Sequence, residues 1–427
     1  MKKQYVQVGT GGRAGFFYEA VASVYKETSE MAAFCDVSQT RMDYANRILK
    51  EEYGVSPVPT YHHTEFEKML DDIKPDFVIV TSVDRTHDKY IILAMEKGYD
   101  VITEKPMTIN EEKAQAIIDC QKRTGRSLRV TFNYRYAPHN TKIRELIMDG
   151  VIGDVFSVHF EWLLDIYHGA DYFRRWHRNK INSGGLLVHK STHHFDLVNF
   201  WLGTKPSKVF AYGDLKFYGM SNAEQRGVTN FYYRCHNSDA AKGDPFAIDL
   251  AGDETLRELY LNAEKDSGYI RDRSVFSDDI SIEDTMGVLV KYKNGAIMTY
   301  SLNAYMPWEG FNVAINGSKG RIEFKVCEKA YINAGGDKND EGAVSSISLM
   351  VYPMHAAPYE VTIIEKEGGH GGGDPVLLND IFGIPEPDPF NRAASHIDGA
   401  MSILTGIAAN KSIASGLEIK IDDLLKF

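Results

Sequence analysis

The glycine turn Gly9-Thr10-Gly11-Gly12-Arg13-Ala14 follows a short apolar run and opens a helical pattern, and it restricts the fold more than any other feature. Gly9 permits a tight turn, Gly11 lets the backbone approach a pyrophosphate, and Ala14 allows close helix–strand packing. The N-terminus of the helix favours the negative charge of that pyrophosphate. A turn with a purely structural role is the alternative. The pattern predicts a dinucleotide site comprising Gly9, Thr10, Gly11, Gly12, Arg13 and Ala14.

Strand and helix patterns alternate from this turn to about residue 132. The predicted strands end at Val8, Cys35, Tyr61, Thr81, Thr103 and Phe132. Strands that alternate with helices of about 10–15 residues indicate βαβ units and a parallel sheet with right-handed crossovers. We therefore expect an α/β Rossmann domain with a mostly parallel sheet over residues 1–135.

The pattern changes after about residue 150, where strand-like runs joined by turns such as Lys293-Asn294-Gly295 dominate. Such runs are typical of a predominantly antiparallel sheet. We expect a substrate-binding α+β domain over residues 136–390, with polar, weakly periodic insertions near 213–280 and 328–385. Residues 391–427 are predicted to include a helix that packs back toward the first domain.

Asp36 follows the second predicted strand and bears on the choice of cofactor. Its carboxylate can accept hydrogen bonds from ribose hydroxyls, and its negative charge repels the 2′-phosphate of NADP. Arg41 is near enough along the chain to weaken that repulsion and is also a candidate cofactor contact. The sequence predicts NAD as the cofactor, with NADP less favoured.

The charge balance and the hydropathy pattern exclude several classes of partner. The chain has 48 Lys and Arg against 59 Asp and Glu, a formal net charge of −11, whereas nucleic acids and anionic membranes select basic surfaces. The apolar runs are too short for a membrane span or a signal peptide, and the four cysteines form no CxxC pair. We expect a cytoplasmic protein that binds neither nucleic acid nor membrane.

Two clusters of ionisable residues are candidates for catalysis. Glu104-Lys105-Pro106 follows the fifth main strand, at the edge where open parallel sheets bind ligands. Lys105 there could hold an alcohol oxygen or transfer a proton. The second cluster places His189, His193 and Asp196 at positions i, i+4 and i+7, which share one face of a helix. A histidine is suited to accept the proton of a secondary alcohol near neutral pH.

Two other interpretations of the second cluster stay open at this point. A helix that begins with capped, half-buried histidines would need no catalytic role. His189 and His193 also have the His–x3–His spacing that binds zinc on a helix, although neither an HExxH glutamate nor a cysteine pair accompanies them. We expect no metal.

Together these motifs resemble the Gfo/Idh/MocA oxidoreductases, a family named for glucose–fructose oxidoreductase and inositol dehydrogenase. The resemblance covers residues 1–205 and depends on the turn at 9–14, Asp36, Glu104-Lys105-Pro106, Asn133-Tyr134-Arg135 and the run from Gly184 to Asp196. It implies a fold of two domains and an oxidoreductase activity.

The resemblance implies that Lys105 and His193 are the catalytic pair. The aspartate that the family has four residues before the catalytic histidine falls on His189 here, and a glycine of the family falls on Ser191. A neutral histidine cannot offer the fixed negative charge of a carboxylate. His189 is therefore predicted either to join a proton relay or to bind substrate, and Asp196 matches the final aspartate of the family motif.

The resemblance also implies contacts with cofactor and substrate. The further cofactor contacts that it implies are Thr81, Ser82, His87, Glu104, Lys105 and Asn133. Typical substrates are sugars, sugar derivatives and cyclitols, and the aromatic and charged segment 167–178 fits such ligands, although a contact between subunits would concentrate the same residue types. The predicted substrate-binding residues are Tyr134, Arg135, His168, Tyr172, Arg174, Trp176, His194 and Asp196.

These observations predict an NAD-dependent dehydrogenase that transfers a hydride between the nicotinamide and a secondary hydroxyl of a sugar, glycoside or cyclitol. An NAD-retaining glycosidase that oxidises the sugar transiently and eliminates the aglycone is the alternative enzyme. An NAD-sensing or scaffold protein is the non-enzymatic alternative. The expected partners are a small carbohydrate and further copies of the chain, as a homodimer or homotetramer through the C-terminal sheet.

Overall fold

The computed structural model describes residues 2–329, 346–364, 368–384 and 387–426, and these contain two β-sheets. The strands of the first sheet, apart from one short C-terminal strand, are β1 (Lys3–Val8), β2 (Ser29–Asp36), β3 (Thr60–His62), β4 (Phe77–Val80), β5 (Asp100–Thr103) and β6 (Leu128–Val130). They lie in the order β6-β5-β4-β1-β2-β3 and are all parallel. The predicted mostly parallel Rossmann sheet is confirmed.

Helices connect these strands, and their ends follow local sequence signals. They are α1 (Gly15–Ala22), α2 (Gln39–Tyr53), α3 (Phe66–Ile73), α4 (His87–Glu96), α5 (Glu111–Thr124) and α6 (Pro138–Met148). The Ser38 side chain caps α2 by accepting from the backbone N–H of Arg41, and Gly54 ends that helix in the left-handed conformation.

The second sheet is larger and predominantly antiparallel, as predicted. Its strands are β7 (Val155–Asp165), β8 (Pro206–Asp214), β9 (Thr285–Tyr292), β10 (Ile297–Met306), β11 (Glu309–Gly317), β12 (Gly320–Lys329), β13 (Ser346–Pro353), β14 (Tyr359–Glu360) and β16 (Ile419–Lys420). The strand β15 (Ala394–Ser395) instead joins the first sheet, antiparallel to β6. The order of the second sheet is β14-β13-β12-β11-β7-β10-β9-β8-β16, with only β7 and β10 parallel among these pairs.

The remaining helices follow β7 in the chain. They are α7 (Ile166–Arg174), α8 (Lys180–Ser183), α9 (Leu186–His189), α10 (Ser191–Leu202), α11 (Met220–Gln225), α12 (Glu254–Leu256), α13 (Glu264–Ser267), α14 (Gly369–Phe382) and α15 (His396–Ser415). Of these, α14 packs on the first sheet, where Leu377 and Phe382 join the core around Tyr5. Among the helices of the described residues, none combines the length and the apolarity needed to cross a bilayer.

Burial patterns differ between the two sheets. Consecutive residues of β1, β4 and β5 are buried, which is typical of parallel strands covered on both faces. Residues of β9 alternate strictly between buried and exposed, so one face of the second sheet packs on the core and the other faces outward.

Both predicted insertions contain regular structure. The first, 213–280, has three short helices and packs on the first domain, where the backbone oxygen of Leu259 accepts from Nε of Arg41 at 2.8 Å. The second, 328–385, adds β13 to the second sheet and includes α14. Within it, residues 330–345, 365–367 and 385 lie outside the described part of the chain.

The C-terminal helix α15 contacts both halves of the molecule. A Cβ on Gly399 would lie 2.7 Å from the Val130 side chain of the first sheet, and Asn410 donates to the backbone oxygen of Gly184 at 2.6 Å. The helix begins with a capping box in which Ser395 and Asp398 satisfy each other's backbone N–H groups.

We expect Ser395→Ala to lower the free energy of unfolding by about 1 kcal/mol, because the capped N–H would lose its acceptor. Urea denaturation followed by circular dichroism measures this change. Ser415→Ala, at the exposed last residue of the same helix, is the control and should lower stability clearly less, because the backbone groups that its hydroxyl bonds are exposed to water. Equal effects of the two substitutions would contradict a capping role.

Candidate active site

The glycine turn lies between the carboxyl ends of β1 and β4. Gly9 has φ +93°, and a Cβ placed on it would lie 2.5 Å from the backbone nitrogen of Ser82, so only glycine fits. A Cβ on Gly11 meets nothing within 4 Å, which leaves the backbone open to a ligand. Ala14 is fully buried where α1 packs on the sheet. This geometry matches the one that pyrophosphate binding requires.

Asp36 lies beside the turn at the end of β2. Its carboxylate accepts from the backbone N–H of Thr10 at 2.6 Å and of Ser38 at 2.9 Å. Arg41 places Nη1 4.0 Å from the same carboxylate, and the hydroxyl of Thr10 is buried without a partner. Since each carboxylate oxygen keeps a second lone pair, Asp36 can still accept from a ribose. The residues present therefore fit a dinucleotide.

The loop after β4 contains Thr81, Ser82 and His87, which were predicted to touch the cofactor. The hydroxyl of Thr81 donates to the backbone oxygen of Gly9 at 2.6 Å and so fixes the turn. His87 requires a correction, because its two ring nitrogens lie 2.8 and 2.9 Å from the backbone oxygens of Pro106 and Ser82. Burial lowers the pKa of His87, so the neutral ring donates to one of the two oxygens, and both of its nitrogens face these loops rather than being open to a cofactor.

Arg13 links the glycine turn to the loop after β5. Its Nε donates to Oε1 of Glu104 at 3.0 Å, and its guanidinium lies 3.8 Å from Asp374 of α14. Asn133 donates to the same Asp374 at 2.7 Å, and its own amide oxygen is buried without a partner. The region that these residues border together with Lys105 and His193 is called the cleft below, and the free amide oxygen of Asn133 can accept a hydrogen bond from a ligand there.

Lys105 lies half-buried at the base of this cleft. Burial lowers the pKa of Lys105 to about 8, although the negative charges of Glu104 and Asp84 oppose the shift. A large share of the side chain is therefore neutral slightly above neutral pH. A lysine in this state can take a proton from an alcohol.

His193 lies on α10 with its ring edge-on to Tyr134, at a centroid distance of 4.9 Å. Burial lowers its pKa well below the ordinary value, and the positive charges of Lys105 and His370 lower it further. Its Nδ1 is buried without a partner, so the tautomer with the proton on Nε2 avoids a buried, unpaired N–H. His193 is thus neutral and can present an Nε2–H donor to a ligand.

His189 does not continue the face of α10. The helical pattern breaks at Lys190, so that α9 ends at His189 and α10 begins at Ser191. Nδ1 of His189 lies 2.5 Å from Oδ2 of Asp84, in the loop after β4. The prediction that His189, His193 and Asp196 share one helical face is corrected by this break. A carboxylate is still present beside position 189, but it is that of Asp84 and belongs to the loop after β4.

Arg135 and Asp196, predicted to bind substrate, are bound to each other instead. Nε and Nη2 of Arg135 donate to the two oxygens of Asp196 at 2.7 and 2.6 Å, and Nη2 also bonds Asp398 at 3.1 Å. Their side chains are 3% and 1% exposed. This correction follows from their pairing, which ties α10 and α15 to the chain after β6.

The predicted substrate-binding roles of His194 and Arg174 are corrected in the same way. His194 is fully buried, stacks on Trp162 at 3.9 Å between ring centroids and bonds the hydroxyl of Tyr300 at 2.7 Å. Arg174 donates to the backbone oxygen of Phe246 at 2.7 Å, inside the first insertion. Burial raises the pKa of the Asp84 carboxyl well above its ordinary value, and the positive charges of Lys105 and of the next arginine, Arg175, oppose that shift.

The other predicted substrate residues form one wall of the cleft. His168 lies 2.6 Å from Glu309 and 3.1 Å from the hydroxyl of Tyr172, which presents its ring edge to His189. Half-buried Trp176 stacks on His177 at 3.6 Å. Aromatic faces beside charged groups are the combination that carbohydrates require.

Tyr134 belongs to the same wall through two acids of the second sheet. Its hydroxyl donates to Glu328 at 3.3 Å. Burial and the charge of Glu309 raise the pKa of Glu328 to about 7, although Lys190 opposes the shift. Both acids are buried, and no sequence motif points to them because they lie on regular strands.

Other residues of the cleft were also missed. Asp84 had a usable signal, since it follows the carboxyl end of a buried strand. His370 and Asp374 lie in Gly368–Asp374, a run of seven residues with five glycines. Such a run indicates an unusual backbone and could also have drawn attention to these two residues. Within the described residues, no group of three or more His, Cys, Asp and Glu side chains is placed to hold a metal ion.

Comparisons with protein families agree with this geometry. Residues 3–132 match the model for the NAD-binding Rossmann fold of an oxidoreductase family, and residues 144–421 match the model for the C-terminal alpha/beta domain of the same family. This is the family that the sequence motifs resemble.

Individual proteins are similar over nearly the whole chain. The Bacillus subtilis (strain 168) protein YteT is 36% identical over 445 residues, which cover 99% of each chain. Myo-inositol 2-dehydrogenase of Thermotoga maritima is 26% identical over 395 residues, which cover 92% of this chain and 91% of the relative. An Agrobacterium radiobacter oxidoreductase crystallised with NAD+, L-tartaric acid and magnesium has the same fold, with a TM-score of 0.64, 16% identity and 100% coverage of both chains.

Proposed function

The chain belongs to the Gfo/Idh/MocA oxidoreductase family, and we propose that it is a dehydrogenase that oxidises a secondary hydroxyl of a sugar or cyclitol with NAD. The observation that carries the proposal is Lys105, whose pKa is lowered to about 8 in a cleft between the glycine turn and His193. The relative named for myo-inositol supports the substrate class.

The nicotinamide, when bound, supplies the hydride acceptor, and the residues of this chain handle the proton. Neutral Lys105 takes the proton of the substrate hydroxyl, because its lowered pKa makes the neutral amine available slightly above neutral pH. Nε2 of neutral His193 donates to the same oxygen. The hydrogen-bonded Asp84 and His189 act as positioning residues beside Lys105. Arg13, Thr81 and Asn133 hold the loops around the cofactor.

Substrate selection is proposed to depend on the wall that contains His168, Tyr172 and Trp176. The aromatic rings can cover C–H faces of a sugar, and the buried acids Glu309 and Glu328 can accept from its hydroxyls. A panel of sugars, glycosides and cyclitols with NAD and NADP, followed by nicotinamide absorbance and product mass, tests the proposal. Failure of every compound to yield reduced cofactor would contradict it.

The glycosidase alternative finds no support in the relatives described above. The same panel separates the two reactions, because a dehydrogenase forms NADH in equal amount to the oxidised sugar. A glycosidase would release aglycone without net NADH.

The cofactor preference for NAD is proposed to depend on Asp36. We expect Asp36→Asn to improve NADPH binding relative to NADH binding by about tenfold, because the charge that repels the 2′-phosphate is removed. The asparagine oxygen can still accept from a backbone N–H. Fluorescence titration with both reduced cofactors measures the ratio. Asp43→Asn, on the exposed part of α2, is the control, and an unchanged ratio in Asp36→Asn would contradict the role.

The outward face of the second sheet is the proposed contact between subunits. Six large apolar side chains on its described strands are exposed, namely Phe156, Tyr212, Leu289, Ile297, Tyr352 and Tyr359. A homodimer or homotetramer would cover them, and the oligomeric state stays a prediction.

A further inference from the structure

Three arginines share one carboxylate where the first insertion meets α7. Asp171 accepts from Nη2 of Arg271 at 2.6 Å, from Nη1 of Arg175 at 3.2 Å and from Nη2 of Arg174 at 3.4 Å. Arg174 also bonds the backbone oxygen of Phe246 and leaves only its Nε unpaired, whereas Arg271 leaves both Nε and Nη1 unpaired. The positive charge at this point therefore exceeds the negative charge.

The spare donors are buried and unpaired. Nε and Nη1 of Arg271 have no partner, and neither has Nε of Arg175. The side chain of Arg271 is only 7% exposed, so water cannot solvate these donors freely. Buried guanidinium donors without acceptors are costly, and a planar oxyanion matches their geometry.

The position of the cluster connects it to the cleft. The hydroxyl of Tyr260, under the guanidinium of Arg271, lies 2.9 Å from where a Cβ of Gly12 would be. Arg175 acts electrostatically on Asp84 and His189 at the other side. The arginines thus lie between the glycine turn and the residues around Lys105.

The insertion is anchored to hold this position. Asp266 of α13 accepts from the hydroxyl of Ser38 at 2.7 Å and from the backbone N–H of Thr40 at 3.0 Å, at the N-terminus of α2. The contact between Arg41 and Leu259 described above is a second link. These bonds fasten the segment 253–272 to the end of β2 where Asp36 lies.

We propose that Arg271 and Arg175 form an oxyanion site that the first insertion adds to the cleft. The ligand is either the pyrophosphate of the dinucleotide or the carboxylate of an acidic sugar, since both offer oxygens to a planar guanidinium. This inference rests on the proposed function, because it places the ligand in the same cleft.

Isothermal titration calorimetry of Arg271→Met separates the two sources. Weakening of both ADP and NADH binding by about tenfold or more would identify the pyrophosphate, because ADP lacks the nicotinamide. Unchanged NADH binding, with weaker binding of D-glucuronate but not of D-glucose to the NADH-loaded protein, would identify a substrate carboxylate. If neither NADH, ADP nor D-glucuronate binding changes, or if the wild type binds no D-glucuronate and its NADH binding is unaffected by the substitution, the inference is overturned.

The matched control is Arg273→Met, in the same insertion. Arg273 is already paired with Asp279 at 2.9 Å and bonds a backbone oxygen, so its removal should leave all the ligands unaffected. Arg271→Lys keeps the charge and should recover part of the binding. Equal melting temperatures of the variants show that the fold is retained. A wild type that binds neither NADH nor ADP would instead contradict the proposed function.

Discussion

Lys105→Met is expected to lower kcat for sugar oxidation by about 10³-fold while the Kd for NADH stays within the error of measurement. Methionine has a similar length and no charge, so the buried site should stay folded. The substitution removes the group that takes the hydroxyl proton. Steady-state kinetics and fluorescence titration measure the two quantities.

The pH profile gives an independent readout for the same residue. Because burial lowers the pKa of Lys105 to about 8, the neutral amine accumulates as pH rises through that value, and oxidation should rise with it. This rise in rate with pH, the alkaline limb of the profile, should be absent from the residual activity of Lys105→Met. Lys97→Met removes a lysine that follows α4 and pairs with Asp71 of α3, and this control should keep both the rate and its rise with pH. A normal limb in Lys105→Met would show that another group takes the proton.

The cofactor half of the site could be predicted because its parts are close in sequence. Gly9, Ala14 and Asp36 belong to one βαβ unit, so strand, turn and helix signals alone bring them together. Lys105 follows from the same rule, since carboxyl ends of parallel strands meet at one edge of the sheet. No knowledge of distant packing is needed for these four residues.

The substrate half depends on packing that sequence periodicity does not contain. The helix break at Lys190 turns His189 toward Asp84, whereas Asp196 pairs with Arg135 instead. A single helix through all these positions was the natural expectation. Similarly, the composition of the segment 167–178 does not tell which of its arginines faces the cleft.

The site residues that the insertions contribute could not be predicted from the sequence for a different reason. Arg271 and His370 lie far along the chain from the residues they approach, in stretches with weak periodicity. Only the contacts of the folded chain place them. The glycine run around His370 was a signal of unusual backbone, but it does not name its partner.

Asp84 is the carboxylate that is proposed to replace the aspartate missing at position 189. Asp84→Asn is expected to lower kcat/KM for oxidation by about 10²-fold, because the charge beside Lys105 disappears while the shape is kept. The negative charge of Asp84 raises the pKa of Lys105 against the effect of burial. Its removal should therefore move the alkaline limb of the pH profile to lower pH.

A second variant in this test restores a carboxylate at position 189 instead of position 84. In the Asp84→Asn background, His189→Asp puts an acid where the family motif has one, and we expect it to recover at least part of the lost rate and to return the limb toward higher pH. Asp88→Asn, on α4 and paired with Lys113, is the matched control and should change neither quantity. A buried residue with only a structural role would lower stability without moving the limb. If Asp84→Asn keeps the wild-type rate and limb, the proposed exchange of carboxylates between the two positions is wrong.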